Sequence, residues 1–173
     1  MVVANTQRLA RISLLAAAAV VLYVFEGLAP RPLPWMKLGL GNLPVVLALM
    51  AYGPVAALIV SALKLLLGGV LSGALAGPAF LIGAGAGACS WLVMSVVWTV
   101  APRLFSPVGL AIWGALAHQL AQLVLAYLYI GQWGVFSLLP IALLGALISG
   151  ILIGLLAQWI SVRSAWIAAR REE

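Results

Sequence analysis

The sequence has no aspartate, one cysteine, one histidine and three glutamates in 173 residues. Glu172 and Glu173 close the chain, so Glu26 is the only acid within it. These absences exclude several function classes. A catalytic Mg²⁺ site needs clustered carboxylates, and there are none to cluster. One His and one distant Cys offer too few ligands for a metal centre. No GxxxxGK[ST] pattern is present, which excludes a Walker-type nucleotide loop. No Ser–His–acid set is available for covalent catalysis. Nothing points to a resident cofactor. Cys89 cannot form an internal disulfide and reads as a small packing residue in an apolar run.

Charge is equally scarce. Charged residues make up 7% of the chain and hydrophobic residues 66%, against about 25% charged in soluble proteins. Mean hydropathy is +1.23. Such a chain cannot supply the polar surface of a soluble fold, so it is an all-α integral membrane protein whose solvent is the lipid bilayer. Residues 1–173 form one membrane domain, with room for about six spans at about 20 residues each. The 18 glycines fit helices packed closely in lipid. The net charge of +6 does not indicate nucleic acid, because the cations sit at the ends of apolar runs without interleaved aromatics.

The pattern predicts helices over about 9–28, 43–52, 54–67, 79–101, 108–130 and 138–161. Pro44 and Pro54 suit first helical turns. Ala29 to Asn42, with Pro30, Pro32 and Pro34, reads as a structured loop. Gly68 to Pro78 reads as a Gly-rich loop or broken helix, and Gly131 to Ser137 as a turn. The basic start before the first apolar run has the form of a signal peptide, but an uncleaved first helix suits a chain that is membranous throughout. Six spans place both termini on one side. Arg8, Arg11, Arg103, Arg163, Arg170 and Arg171 then share that side, with Arg31 and Lys37 opposite. The positive-inside rule makes the termini cytoplasmic, as expected of a bacterial inner-membrane protein.

Small residues recur four apart: Ala142, Ala146, Gly150 and Gly154 in the sixth helix, Gly83 and Gly87 in the fourth, and Gly69, Gly73 and Gly77 between the third and fourth. Such stripes pack helices within a bundle or dock a partner membrane subunit. Lys64 lies about 15 Å of helical rise beyond Gly53-Pro54, at mid-bilayer. A charge there has a cost of about 2.5–3.5 kcal/mol on insertion scales. It either snorkels or faces inward, to hold an anionic ligand group or to pair with Glu26 or a carbonyl. Glu26 pairs with Arg31 or Lys37, or meets a ligand. In the fifth helix Gly114, His118 and Gln122 are four apart, with Gln119 beside them and Tyr129 seven further on. They form a polar face for ligand contact or interhelical hydrogen bonds. The loop holding Arg31, Trp35, Lys37, Gly39, Gly41 and Asn42 either covers a cavity mouth and contacts an anion or lies at the interface.

The strings Lys37-Leu38-Gly39-Leu40 with Asn42, and Ser106-Pro107-Val108-Gly109 with Ala117-His118-Gln119 and Gln122, carry a family resemblance together with the Gly-rich stretch after Lys64. The chain resembles the Gx transporter family, also labelled heptaprenyl diphosphate synthase component I. That family is similar to the S components of energy-coupling-factor transporters. The resemblance implies a six-helix S-component-like bundle that binds a small, vitamin-like solute near the outer face. The loops after the first, third and fifth helices would cover it. Arg31, Trp35, Lys37, Asn42, Lys64, His118, Gln119 and Gln122 are the candidate solute contacts. It also implies a membrane coupling subunit and two ATPases as partners. S components often dock through an AxxxA stripe on the first helix, for which Ser13 with Ala17 is the nearest match. Ala146, Gly150 and Gly154 are further docking candidates. Family members are also similar to membrane partners of extracytoplasmic redox domains in flavin-linked electron transfer.

Overall fold

The computed structural model describes residues 2–28, 39–75, 77–101 and 105–164. They form six α-helices: α1 (Val2–Leu28), α2 (Leu43–Tyr52), α3 (Pro54–Leu71), α4 (Pro78–Val100), α5 (Pro107–Ile130) and α6 (Leu139–Arg163). Two short 3-10 helices, Leu40–Asn42 and Trp133–Leu138, precede α2 and α6. Proline stands in the first turn of each helix from α2 to α6. Its missing N–H falls where no intrahelical partner exists, and its fixed φ suits helix entry. The Ser106 hydroxyl also accepts from Gly109 N at 3.2 Å to cap α5.

Five of these segments are long and apolar enough to cross a membrane. The expectation of six spans is corrected at α2. Ten residues give about 15 Å of rise, half of a hydrocarbon core of about 30 Å. α2 lies alongside α1 and runs the opposite way. Gly41, just before it, lies against Ala19 and Tyr23. Tyr52, at its other end, puts its ring 5.8 Å from the Arg8 guanidinium. α2 therefore begins below the Glu26 end of the bundle and finishes at the Arg8 end. Pro44 to Ala51 are all buried, and α2 touches α1, α3, α4, α5 and α6. It is the hub on which the two groups α1–α3 and α4–α6 meet.

α3 runs the same way as α1, with Gly68 late in α3 against Tyr23 late in α1, and from α3 to α6 the long helices alternate in direction. Gly69 of α3 lies against Phe80 of α4, Gly114 of α5 against Met94 of α4, and Gly150 and Gly154 of α6 against Ile112 and Val108 of α5. The start of α1 and the end of α6 consequently share one end of the bundle. Large apolar side chains cover the outside, among them Leu14, Val21, Leu81, Ile148 and Val162. Hydrocarbon is their natural surrounding.

The α6 stripe is internal. A Cβ at Gly150 would stand 2.7 Å from Ile112 Cα, and one at Gly154 would collide with Val108 Cα. Ala142 and Ala146 are buried on the same face. In lipid only packing and polar contacts hold helices together, so the missing side chains let the α5 and α6 backbones touch. Ala146, Gly150 and Gly154 are thus placed in an internal seam, not on an outer docking face. Ser13 and Ala17 do face outward from α1.

Three further expectations are corrected. The Gly-rich stretch is a turn only from Ser72 onward; α3 first continues through Gly68 and Gly69 to Leu71, because these glycines leave room for the rings of Tyr23 and Phe80. Cys89 is exposed on α4 and is not a packing residue. Gly131 to Ser137 is largely helical, continuing as the 3-10 helix Trp133–Leu138.

Gly150→Leu should lower the thermal midpoint in detergent strongly, since the obstacle is backbone and cannot swing aside. A loss above the roughly 1–3 kcal/mol typical of overpacking is expected. Ile148→Ala, on the outer face, is the control and should leave the midpoint nearly unchanged.

Candidate functional site

The polar centre of the molecule is built where the chain enters α2. Gly39 has φ +75°, a left-handed conformation that glycine adopts without the penalty a Cβ would bring. This turns the backbone so that Gly39 N–H donates to Glu26 Oε1 on α1. Asn42 N then donates to Gly39 O at 2.8 Å and closes the 3-10 turn. Gly41 is glycine for a different reason. A Cβ there would lie 3.3 Å from Lys64 Cδ and from Tyr23 Cβ, and 3.4 Å from Ala19 O. The turn is therefore pressed between α1 and α3.

Lys64 reaches this turn from α3. It is 5% exposed, and its Nζ donates to Asn42 Oδ1 at 2.5 Å. The inward reading of Lys64 thus describes its place, and snorkelling to an interface does not. Glu26 is 6% exposed. It is held to the α2 entry through Gly39, the contact that the described residues add to its expected pairing with Arg31 or Lys37. Those two cations and Trp35 lie outside the described residues.

On the far side of Asn42 is a cavity of about 20 Å³, lined by Asn42, Ser90, Met94, Gly114, Ser149 and Gly150 among others. Ser90 is 5% exposed and its hydroxyl donates to Gly114 O at 2.8 Å. Ser149 Oγ would lie 3.0 Å from a Cβ on Gly39, which places it beside the turn. The volume is that of one water or one ligand oxygen.

The structure thus joins Asn42 and Lys64 in one hydrogen bond and adds Glu26, Ser90 and Ser149 around them. His118, Gln119 and Gln122 are half-buried on α5. His118 stands one helical turn beyond Gly114, toward the Glu26 end, and Gln122 two turns beyond; none of the three lines the cavity. Tyr129 does not share their inward face, being 65% exposed. The serines carry only a faint signal in the sequence: Ser149 is the only hydroxyl in the first two-thirds of α6.

A model of one protein family matches residues 15–160, nearly all the membrane-embedded chain. The chain belongs to the heptaprenyl diphosphate synthase component I family. The match covers α2 whole, together with Glu26, Asn42, Lys64, Ser90 and Ser149. In this member of the heptaprenyl diphosphate synthase component I family, then, the buried polar centre falls inside the matched region. No curated protein and no solved structure matches the chain.

Glu26→Ala should lower the thermal midpoint, because it strands the Gly39 N–H. An unmatched buried donor has a cost of about 1–3 kcal/mol. Phe25→Ala, at a 62% exposed neighbour, should leave the midpoint close to wild type in the same melting experiment.

Proposed function

We propose that the protein is the solute-binding membrane subunit of an energy-coupling-factor-like uptake system. It takes a small anionic, vitamin- or isoprenoid-related solute from the Glu26 end, which faces away from the cytosol in a bacterial inner membrane. Both termini are then cytoplasmic. The observation that carries this reading is the Lys64 ammonium, buried at mid-membrane depth and bonded to Asn42 beside a cavity. Burying a charge at that depth is unfavourable, and charges kept there mark solute or ion pathways. Arg8 and Arg163 share the other end of the bundle, in keeping with the positive-inside rule. Solute contacts come from Asn42, Lys64, His118, Gln119 and Gln122, with Arg31, Trp35 and Lys37 in the loop before α2.

The chain is non-catalytic in this reading. Energy comes from a membrane coupling subunit and ATPases, and the outward-facing Ser13–Ala17 face of α1 is the docking candidate that internal packing does not use. A second reading is favoured by the family's description as one component of a synthase. In it the protein is a membrane partner in prenyl diphosphate or quinone synthesis, or in electron transfer to an extracytoplasmic flavin domain.

Purification in mild detergent from its own cells separates the two. ATPase subunits in the eluate, and a small anion released on denaturation and seen by mass spectrometry, support solute uptake. A prenyl-transferring or redox partner in their place supports the second reading. Lys64→Ala should reduce the amount of released anion at least tenfold while the protein still folds; an unchanged amount removes Lys64 from the site.

A further inference from the structure

The hydrogen bond between Lys64 and Asn42 fixes more than the position of the ammonium. A lysine ammonium is donor only, with no lone pair to offer. The atom that Asn42 turns toward Lys64 must therefore be its carbonyl oxygen, as the geometry has it. The carboxamide is planar, so its NH₂ group points the other way. A Cβ on Gly39 would lie 3.6 Å from Asn42 Nδ2 and 3.0 Å from Ser149 Oγ, so both atoms border the same small volume. Asn42 and Ser149 line the cavity, and Lys64 does not. Among the described residues no acceptor is bonded to Asn42 Nδ2. The cavity therefore presents N–H donors at one wall, with room for a single oxygen atom.

The chemistry of that oxygen follows from its surroundings. The amide is polarised by the ammonium on its carbonyl side, which makes the N–H groups stronger donors. Glu26, the one acid nearby, already accepts from Gly39. Val46, Met94, Ala111 and Ile153 give apolar walls, and Ser90, whose hydroxyl donates to Gly114 O, and Ser149 add hydroxyls.

We propose that this cavity is an oxyanion subsite: it receives one oxygen of a carboxylate or phosphate, donated to by Asn42 Nδ2, with Lys64 as the positioning residue behind it. The inference rests on the solute-binding reading and deepens it by naming the group recognised. The body of the solute extends toward His118 and the Glu26 end, since the cavity itself holds no more than the oxygen. Lys64 acts through Asn42 and need not touch the anion.

The test uses the full chain purified in detergent, with acetate and inorganic phosphate as probes and ionic strength held constant with chloride. Thermal midpoint is followed against probe concentration, since a ligand that binds only the folded state raises it saturably. Wild type should be stabilised by at least one of the two probes. Asn42→Asp keeps an acceptor for Lys64 but removes the NH₂ donor, and should weaken the apparent affinity at least tenfold. Lys64→Met should weaken it similarly, and Lys64→Arg, which can still donate to Asn42, should restore most of it. Asn42→Ala replaces Asn42→Asp in the test if the latter does not fold. Stabilisation of wild type with unchanged affinity in the folded Asn42 variant overturns the subsite and leaves the solute-binding reading standing. Failure of both probes to stabilise wild type overturns the subsite and the anionic solute together.

Discussion

A primary ammonium at mid-membrane depth must have a polar partner at the same depth, and the fold around α2 is arranged to bring one there. Isolated in hydrocarbon, Lys64 would oppose insertion by about 2.5–3.5 kcal/mol. Its partner, the Asn42 carboxamide, belongs to a turn that lies inside the bundle beside Tyr23 and Ala19, not at its surface. Only a helix of half length can begin there. The shortness of α2, the left-handed Gly39 and the burial of Glu26 all follow from that one requirement. Each of the backbone groups freed by starting a helix at depth needs a substitute partner in lipid, and the Glu26 carboxylate supplies one to Gly39.

The second half of the molecule holds this arrangement still. α5 and α6 meet backbone to backbone at Gly150 and Gly154, where no side chain can intervene. Met94 fills the space that Gly114 leaves on α5, and Ser90 ties α4 to the Gly114 carbonyl. The small cavity lies where these contacts converge on α2. Asn42 and Val46 line it from one group of helices, and the other lining residues, Ser90 and Ser149 among them, come from the other.

Much of this was legible in the sequence, and the reasons differ by residue. Pro44 and Pro54 mark the first turns of α2 and α3 in the sequence itself, because proline suits a first turn whatever the environment. Lys64 and Asn42 stood out because polar groups are rare in so apolar a chain. What could not be read was rotational phase. A helix in a soluble protein shows its buried side by apolar periodicity, but lipid and core are equally apolar, so the pattern carries no such contrast. For that reason the sequence pattern turns Cys89 and Tyr129 inward, whereas both lie outward. The stripe from Ala142 to Gly154 was recognisable as a contact face, but not which partner it met. Gly68 and Gly69 read as a break in the sequence alone because their role lies in the rings of Tyr23 and Phe80, which are distant in sequence.

The depth of the Lys64–Asn42 pair has an electrical consequence. Lys64 lies about 15 Å along α3 from Pro54, near the middle of a hydrocarbon layer of about 30 Å. Carrying one elementary charge fully across a potential of 100 mV involves about 2.3 kcal/mol, so an ion brought to half depth exchanges about 1 kcal/mol with the field. In an energised cell the occupancy of this centre by any charged species is therefore tied to the voltage across the membrane, and it shifts several-fold when that voltage collapses.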